Sequence, residues 1–222
     1  SPAEVNLRDG EQDLKNGEAR LMQNAEYYGG VRIRRGSTRL NATTLGAYKI
    51  LAGTKYYYGG ASPQNKRLIA YNNRISTITD AGSETVLTSG MTPGLATFMT
   101  TWSITDSVYI SNGTDVLRKY DGTTFSTVTG TNVPVARTRV IPVIDRLLAI
   151  TTNGIERSDP RSDSVWSSNS SWATLRPQTP GLFTALHPYT LRGTDALYNG
   201  AIAFQERSHY LITGTDYGSS VI

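Results

Sequence analysis

The chain of 222 residues contains no cysteine and only two histidines. The absence of cysteine excludes disulfide scaffolds, thiol nucleophiles and zinc sites with cysteine ligands. Neither His187 nor His209 lies in a recognisable ligand spacing, so the sequence does not indicate a histidine-based metal site or catalytic triad. No apolar run approaches the roughly 20 residues that a membrane-spanning helix needs. We therefore expect no membrane span.

Carboxylates are the remaining candidates for hydrolytic chemistry, because glycoside hydrolases use one carboxyl group as an acid and a second as a base or nucleophile. The segment from Ser158 to Trp166 resembles the aspartate box of sialidase propellers, but it lacks the glycine of that motif and occurs once. We interpret its Asp159-Pro160 as a turn initiator. We therefore expect no catalytic residue, no cofactor and no metal site. The carboxylates considered are Asp159, Asp163, Asp195 and Glu206.

The composition favours β-sheets. The chain has 21 glycines and 9 prolines, and its 13 tyrosines outnumber its 4 phenylalanines, which suits twisted antiparallel sheets with many turns. The one segment predicted to be helical runs from Gly17 to Ala25, where a few residues could form a weak apolar face.

A short apolar strand recurs along the chain. The spacing is 40 residues from Ile69 to Tyr109, 39 from Tyr109 to Leu148 and 54 from Leu148 to Ile202. A period near 40 residues is the length of one four-stranded propeller blade. The sequence therefore predicts an all-β, propeller-like repeat of antiparallel four-stranded sheets. The recurring strands are Arg67–Ala70, Ser107–Ile110, Arg146–Ile150 and Gly200–Phe204.

Turns of similar composition follow the first three of these strands. Asn72, Asn112-Gly113 and Asn153-Gly154 are predicted to form tight hairpin turns, because asparagine and glycine accept the positive φ that such turns need. Asp121-Gly122 is predicted to turn the chain into one further strand, Thr124 to Val128. Each unit should thus be a meander of neighbouring strands.

The predicted organisation has two parts. Residues 1–30 should form an N-terminal arm that contains the short helix, and residues 31–222 should form the repeat domain. A closed propeller needs a completed last blade, so we expect an incomplete propeller or a part of a longer chain. An incomplete propeller would leave a strand edge for a neighbouring subunit.

Two groups of side chains are candidates for an interface or a DNA channel. Arg32, Arg34 and Arg35 give a local basic excess in a chain of net charge +4, and they are either a solvated strand face or a patch that faces phosphate or another subunit. Tyrosines beside glycine pairs are either core residues or interface residues. These are Tyr27, Tyr28, Tyr56, Tyr57 and Tyr58.

Three segments, in order, carry a resemblance to a known family. They run from Asn6 to Ser37, from Ile155 to Trp166 and from Ala201 to Gly214. Together they resemble virion proteins of tailed bacteriophages of the tail-nozzle and tail β-propeller type. The first segment departs from the family pattern, because Arg35 occupies the position that is usually proline.

The resemblance implies a structural component of a phage tail, located in the virion and without enzymatic activity. It implies a homo-oligomeric ring, six-fold, around the DNA exit channel, with other tail or head-to-tail proteins as neighbours. Contact with DNA should be weak and non-specific at most. Two alternatives stay open: a carbohydrate-binding or glycoside-hydrolysing β-propeller, and a generic protein-interaction propeller.

Overall fold

The computed structural model describes residues 48–59, 64–152, 154–166, 181–192 and 197–212, together with short strands at 4–5, 18–19, 25–27, 31–33 and 174–175. All secondary-structure elements in this described part are β-strands, so the predicted all-β class is confirmed. No helix suited in length and apolarity to crossing a bilayer occurs among these residues.

The chain divides into two compact units, Ser1–Leu40 and Asn41–Ile222. In the first unit, β1 (Glu4–Val5) pairs in parallel with β2 (Glu18–Ala19). An antiparallel pair follows, formed by β3 (Ala25–Tyr27) and β4 (Val31–Ile33). The predicted boundary after residue 30 lies earlier in the chain than this division, and it stays a prediction.

The helix predicted from Gly17 to Ala25 is wrong at the three of its positions that the structure describes. Glu18, Ala19 and Ala25 belong to strands, and the other six positions lie outside the described residues. The physical reason is the length of the segment, because isolated helices shorter than about 12 residues are marginal in water. One weak apolar face does not compensate for that cost.

The second unit consists of four antiparallel sheets that follow one another along the chain, and none of them closes on itself. Each sheet is a meander in which neighbouring strands are consecutive in sequence. The first sheet contains β5 (Ile50–Tyr58), β6 (Gln64–Tyr71), β7 (Arg74–Ile78) and β8 (Glu84–Thr88). The second sheet contains β9 (Phe98–Trp102), β10 (Ser107–Ser111), β11 (Arg118–Tyr120) and β12 (Phe125–Thr127). The third sheet contains β13 (Ile141–Val143), β14 (Arg146–Thr151), β15 (Gly154–Arg157) and β16 (Thr174–Leu175). The fourth sheet contains β17 (Ala185–Arg192), β18 (Leu197–Phe204) and β19 (His209–Ile212).

The recurring apolar strands occupy equivalent positions in the four sheets. They fall in β6, β10, β14 and β18, and each of these is the second strand of its sheet. The repeat in the sequence therefore corresponds to a repeat of sheets. The predicted turns also agree with the backbone, since Asn72 (φ 50°), Gly113 (φ 83°) and Gly122 (φ 95°) all lie in the left-handed region.

Three apolar cores separate the four sheets. Leu68 and Ala70 of the first sheet pack with Val108 and Ile110 of the second. The intervening Tyr109 belongs to the next core, which lies between the second and third sheets and also contains two buried tryptophans. Side chains alternate across a strand, so β10 is buried on both of its faces. This accounts for its continuous apolar run.

The third core lies between the third and fourth sheets. Leu148 and Ile150 of β14 pack there with Ala201 and Ala203 of β18. The first strands of consecutive sheets also contact each other, β5 with β9, β9 with β13 and β13 with β17. Each sheet therefore contacts the next both through a face and along its first strand.

Candidate functional site

The three candidate tyrosines of β5 differ in their surroundings. Tyr56 is fully buried, Tyr57 is 58% exposed and Tyr58 is half-buried. Tyr56 and Tyr58 stack, with ring centroids 5.1 Å apart and planes inclined by 17°. Because successive strand residues point to opposite faces, these two share the face towards the second sheet and Tyr57 lies on the other. The core interpretation therefore holds for Tyr56, and Tyr57 stays available at the surface.

The other candidates come from the start of the chain. Tyr27 lies in β3 and Arg32 lies in β4, where the register pairs Arg32 with Glu26. A strand at Val31–Ile33 agrees with the extended backbone assumed for Arg32. The expectation that the arginines form a solvated strand face, or a patch that faces phosphate or another subunit, stays a prediction. Tyr28, Arg34 and Arg35 lie outside the described residues.

Lys66 connects the first sheet to the second through a tyrosine–lysine cluster, which comprises Tyr56, Tyr58, Lys66 and Tyr120. The register of β5 and β6 places Lys66 opposite Tyr56. Its Nζ donates hydrogen bonds to the Tyr120 hydroxyl (2.9 Å) and to the Gly122 carbonyl oxygen (2.7 Å). The same Nζ lies 5.7 Å from the ring centroid of Tyr58 and 5.5 Å from that of Tyr120.

These contacts stabilise the protonated form of Lys66. The hydrogen bond to Tyr120 raises the pKa of Lys66, while burial opposes this with a smaller lowering. The ammonium group is thus a cation at neutral pH, and it ties β6 to β11. It is not a neutral amine suited to nucleophilic attack.

Asp106 makes a second connection between the same two sheets. The Tyr56 hydroxyl donates to the Asp106 carbonyl oxygen, and the Gly59 amide donates to Asp106 Oδ2 at 2.9 Å. Burial, followed by the nearby Asp106 and Asp121 carboxylates, raises the pKa of Tyr56 well above its ordinary value. Tyr56 is therefore a neutral phenol at pH 7, and it acts as a hydrogen-bond donor.

Asp163, which the sequence offers as a possible catalytic carboxylate, connects the second and third sheets. Its Oδ2 accepts hydrogen bonds from the Tyr109 hydroxyl and from Lys119 Nζ, both at 2.8 Å. Its carbonyl oxygen accepts one from the Trp166 indole at 2.8 Å. The carboxylate is buried, and burial together with this carboxylate raises the pKa of Tyr109. The arrangement is that of a structural junction.

Two of the other carboxylates considered, Asp159 and Glu206, lie in turns. Asp159 begins a turn in which its carbonyl oxygen accepts from the Ser162 amide at 3.2 Å, as the turn interpretation predicted. Glu206 is exposed in the turn between β18 and β19. His187 and His209 are exposed on the fourth sheet. Asp195 lies outside the described residues.

A cleft of about 370 Å³ borders the tyrosine–lysine cluster. Lys66 and Tyr120 line one side of it, and threonines from β7, β8 and the β11–β12 turn line much of the rest. Among the described residues, Asp80 is the one carboxylate that lines this cleft, and it forms an ion pair with Arg67. The volume of the cleft is at the lower end of the range for small-molecule sites.

Within the described part of the chain, no group of three or more histidine, aspartate or glutamate residues is placed to hold a metal ion. Neither the protein-family models nor the curated proteins give a match to this chain.

Sequence reasoning did not identify Lys66, Asp106 or Tyr120. Their partners lie about 50 residues away along the chain, as in the Tyr56–Asp106 and Lys66–Tyr120 contacts. No local pattern gives such a pairing. The only signal was indirect: equivalent strands of consecutive repeats should pack on each other, which brings β6 near β10 and so near β11, the partner of β10 in its sheet.

Proposed function

We propose that this protein is a structural component of a bacteriophage tail, a nozzle or tail-wall subunit of the virion. In this role it oligomerises as a ring around the DNA exit channel and contacts neighbouring tail or head-to-tail proteins. The four sheets are proposed to be blades of an incomplete β-propeller. The three ordered segments that resemble tail proteins support the assignment.

One observation carries the proposed architecture. The first strands of the four sheets contact each other in sequence, and an apolar core lies between each sheet and the next. Blades of a propeller meet in this way, with their innermost strands adjacent around the axis. Sheets that pack on one another through close-packed apolar cores form a stiff unit, which suits a wall segment.

The polar side chains support a structural role as well. Lys66, Asp106 and Asp163 all use their charged or polar atoms to join one sheet to the next. Buried polar networks with satisfied partners fix one arrangement of the core. In this chain they fix the relation between sheets.

Native mass spectrometry of the purified chain, with negative-stain microscopy, tests the proposal. We expect a ring of defined copy number, and six copies would match the expected symmetry. A monomer at every concentration would contradict the proposal and favour a protein-interaction propeller. Binding to double-stranded DNA should be weak and should fall steeply with salt, because phosphate contacts release counterions.

Glycan binding is the second candidate, and the cleft beside the tyrosine–lysine cluster favours it. Threonine hydroxyls and the Lys66 ammonium group offer hydrogen bonds to a sugar. Hydrolysis is disfavoured, because it needs two carboxylates and Asp80 is the one found among the described residues that line the cleft. Saturation-transfer NMR with a glycan panel tests this candidate. Saturation that a Thr85→Val exchange leaves unchanged would count against this cleft.

A further inference from the structure

The junction between the first and second sheets is apolar in one part and polar in another. Leu68 of β6 belongs to the apolar core, but its register partner on β7 is Thr77, and the partner of Thr77 on β8 is Thr85. Residues that lie opposite each other on neighbouring strands share one face of the sheet. Both threonines are therefore on the face towards the second sheet, and both line the cleft beside the tyrosine–lysine cluster.

Thr77 lies on the floor of this cleft. Its side chain is 7% exposed, whereas Thr85 and Thr123 are exposed at the rim. Within the described part of the chain, the Thr77 hydroxyl has no hydrogen-bond partner. A buried hydroxyl without a partner is unfavourable, because it has lost its hydrogen bonds to water. A ligand that reaches the floor of the cleft would supply the missing bond.

The charged groups at the cleft already have partners within the protein. Asp80 forms its ion pair with Arg67, and Lys66 Nζ donates to the Tyr120 hydroxyl and to the Gly122 carbonyl oxygen. Among the described residues, the lining side chains whose polar groups have no such partner are all uncharged. They are Asn65, Thr77, Thr85 and Thr123.

These uncharged groups favour one class of ligand. Threonine hydroxyls and the asparagine amide both donate and accept hydrogen bonds, as the hydroxyls of a sugar do. The opposite charges of Lys66 and Asp80 cancel, so the cleft does not attract either sign of charge. A charged ligand would lose its water shell here without gaining an ion pair of its own. The lining therefore suits an uncharged molecule with several hydroxyls.

We propose that the cleft binds an uncharged monosaccharide or disaccharide unit of a glycan and discriminates against acidic sugars. This inference rests on glycan binding, the second candidate function, and it adds the class of sugar and the residue at the floor of the site. A volume of about 370 Å³ suits such a short unit better than a long stretch of polysaccharide.

The affinity of a single cleft should be low. Tyr120 is 1% exposed, so the face of its ring is not open for stacking on a sugar. Binding then depends on the hydroxyl and amide groups and on apolar contact with Leu87, which lines the same cleft. We expect a dissociation constant in the millimolar range for one cleft. Several copies held together would raise the effective affinity for a repetitive glycan.

Matched pairs of sugars test the preference for an uncharged ligand. Glucose with glucuronic acid, and galactose with galacturonic acid, differ in one group, which is a hydroxymethyl in the neutral sugar and a carboxylate in the acid. Saturation-transfer NMR titrations of the full chain at pH 7 give the dissociation constants. For a pair that binds, we expect the acid to bind at least about fivefold more weakly than the neutral sugar.

Substitutions in the cleft test where the sugar binds. Thr77→Val removes the floor hydroxyl, and we expect it to weaken neutral-sugar binding about fivefold. Thr85→Val does the same at an exposed rim position, where the core is not disturbed. Thr101→Val, at an exposed position of β9 away from the cleft, is the control and should leave binding unchanged. Circular dichroism of the three variants establishes that the sheets are intact.

A fourth variant tests the role of charge. Asp80→Asn removes the negative charge at the rim and releases Arg67 from its ion pair. We expect it to strengthen binding of the acidic sugar and to leave the neutral sugar within about twofold. An unchanged preference in Asp80→Asn would overturn the proposed basis of the discrimination.

The remaining outcomes separate this inference from glycan binding in general. Equal affinity for both members of each pair, or tighter binding of the acid, would overturn the inference and leave glycan binding standing. Neutral-sugar binding that neither Thr77→Val nor Thr85→Val weakens would overturn it too, because the sugar then binds elsewhere. An absence of saturation with every neutral and acidic sugar would contradict both.

Discussion

Ile144 has a backbone conformation that suits its side chain poorly. It lies in the two-residue turn between β13 and β14, with φ at 56° and its side chain 43% exposed. A β-branched residue in the left-handed region costs about 1–2 kcal/mol, and glycine avoids that cost.

We expect Ile144→Gly to raise the free energy of unfolding by about 1 kcal/mol, after the entropy that glycine adds to the unfolded chain. Urea denaturation followed by fluorescence measures it. Val116→Gly, at another exposed position where φ is not positive, is the matched control and should not stabilise. A loss of stability in Ile144→Gly would show that the side chain makes a contact that the fold needs.

Gly122 is required for two reasons that can be separated. Its φ of 95° disfavours any side chain, and a Cβ at this position would overlap the ring of Tyr58. Gly94 also has a positive φ, 77°, but a Cβ there would meet open space.

Gly94→Ala should therefore cost about 1 kcal/mol of unfolding free energy, from backbone strain alone. Gly122→Ala should cost about 2–4 kcal/mol, because Tyr58 must leave its stack on Tyr56. Thermal unfolding of the two variants measures the difference. Equal losses would mean that the Tyr58 ring moves aside at no cost.

At the scale of elements, Asp115 holds two loops together. Its Oδ2 accepts from the Thr92 amide (2.8 Å) and from Asn112 Nδ2 (2.6 Å), and its Oδ1 accepts from the Thr92 hydroxyl (2.7 Å). Burial raises the pKa of Asp115, but the hydrogen bonds from Thr92 and Asn112 more than offset this and lower it overall. The β8–β9 loop is thereby tied to the β10–β11 loop.

A folded-state pKa below the unfolded value means that the unfolded chain binds the proton more readily in acid. The stability from Asp115 is therefore present above the unfolded pKa, near 4, and is lost as the pH falls through the folded value. We expect Asp115→Asn to be clearly less stable than the wild type at pH 7, with the gap closing towards pH 2. Urea unfolding across this range measures the gap. A gap that is independent of pH would contradict the assignment.

The strands that the sequence predicts best are those with a strong local signal. The second strands of the two middle sheets are continuous apolar runs because sheets cover both of their faces. Asparagine or glycine with positive φ follows the second strands of the first three sheets. The spacing aligns Ile69 with Tyr109 and Leu148, and this alignment is off by one residue. Tyr109 and Leu148 face the following sheet, but in the first repeat Leu68 and Ala70 face it and Ile69 points the other way. A shift of one residue reverses the facing of a strand, and an apolar run contains no mark that fixes it.

At the scale of the whole molecule, the junctions between sheets act in series. Asp163 lies at the middle junction, where it joins the third sheet to Tyr109 and Lys119 of the second. Truncating a buried carboxylate leaves its donors without an acceptor, which costs about 1–3 kcal/mol for each such group. Nothing in the local sequence distinguishes this aspartate from a catalytic one, because its partners are 54 and 44 residues away.

We expect Asp163→Ala to lower the unfolding free energy by about 3 kcal/mol and to broaden the urea transition, since the two halves of the series become less coupled. Tryptophan fluorescence reports directly on this junction, because Trp102 and Trp166 are buried in the core beside it. Asp80→Ala removes an exposed carboxylate and should change stability little. An unchanged transition width in Asp163→Ala would mean that the apolar core alone couples the halves.

The consecutive order of strands within each sheet determines how the second unit responds to force. A pull on the two ends of a meander loads its ladder of hydrogen bonds a few at a time, so the sheets would open one after another at low force. A push along the series instead presses the three apolar cores, which are close-packed and hardly compressible. We therefore expect the second unit to resist compression along the series of sheets and to yield at lower force under tension.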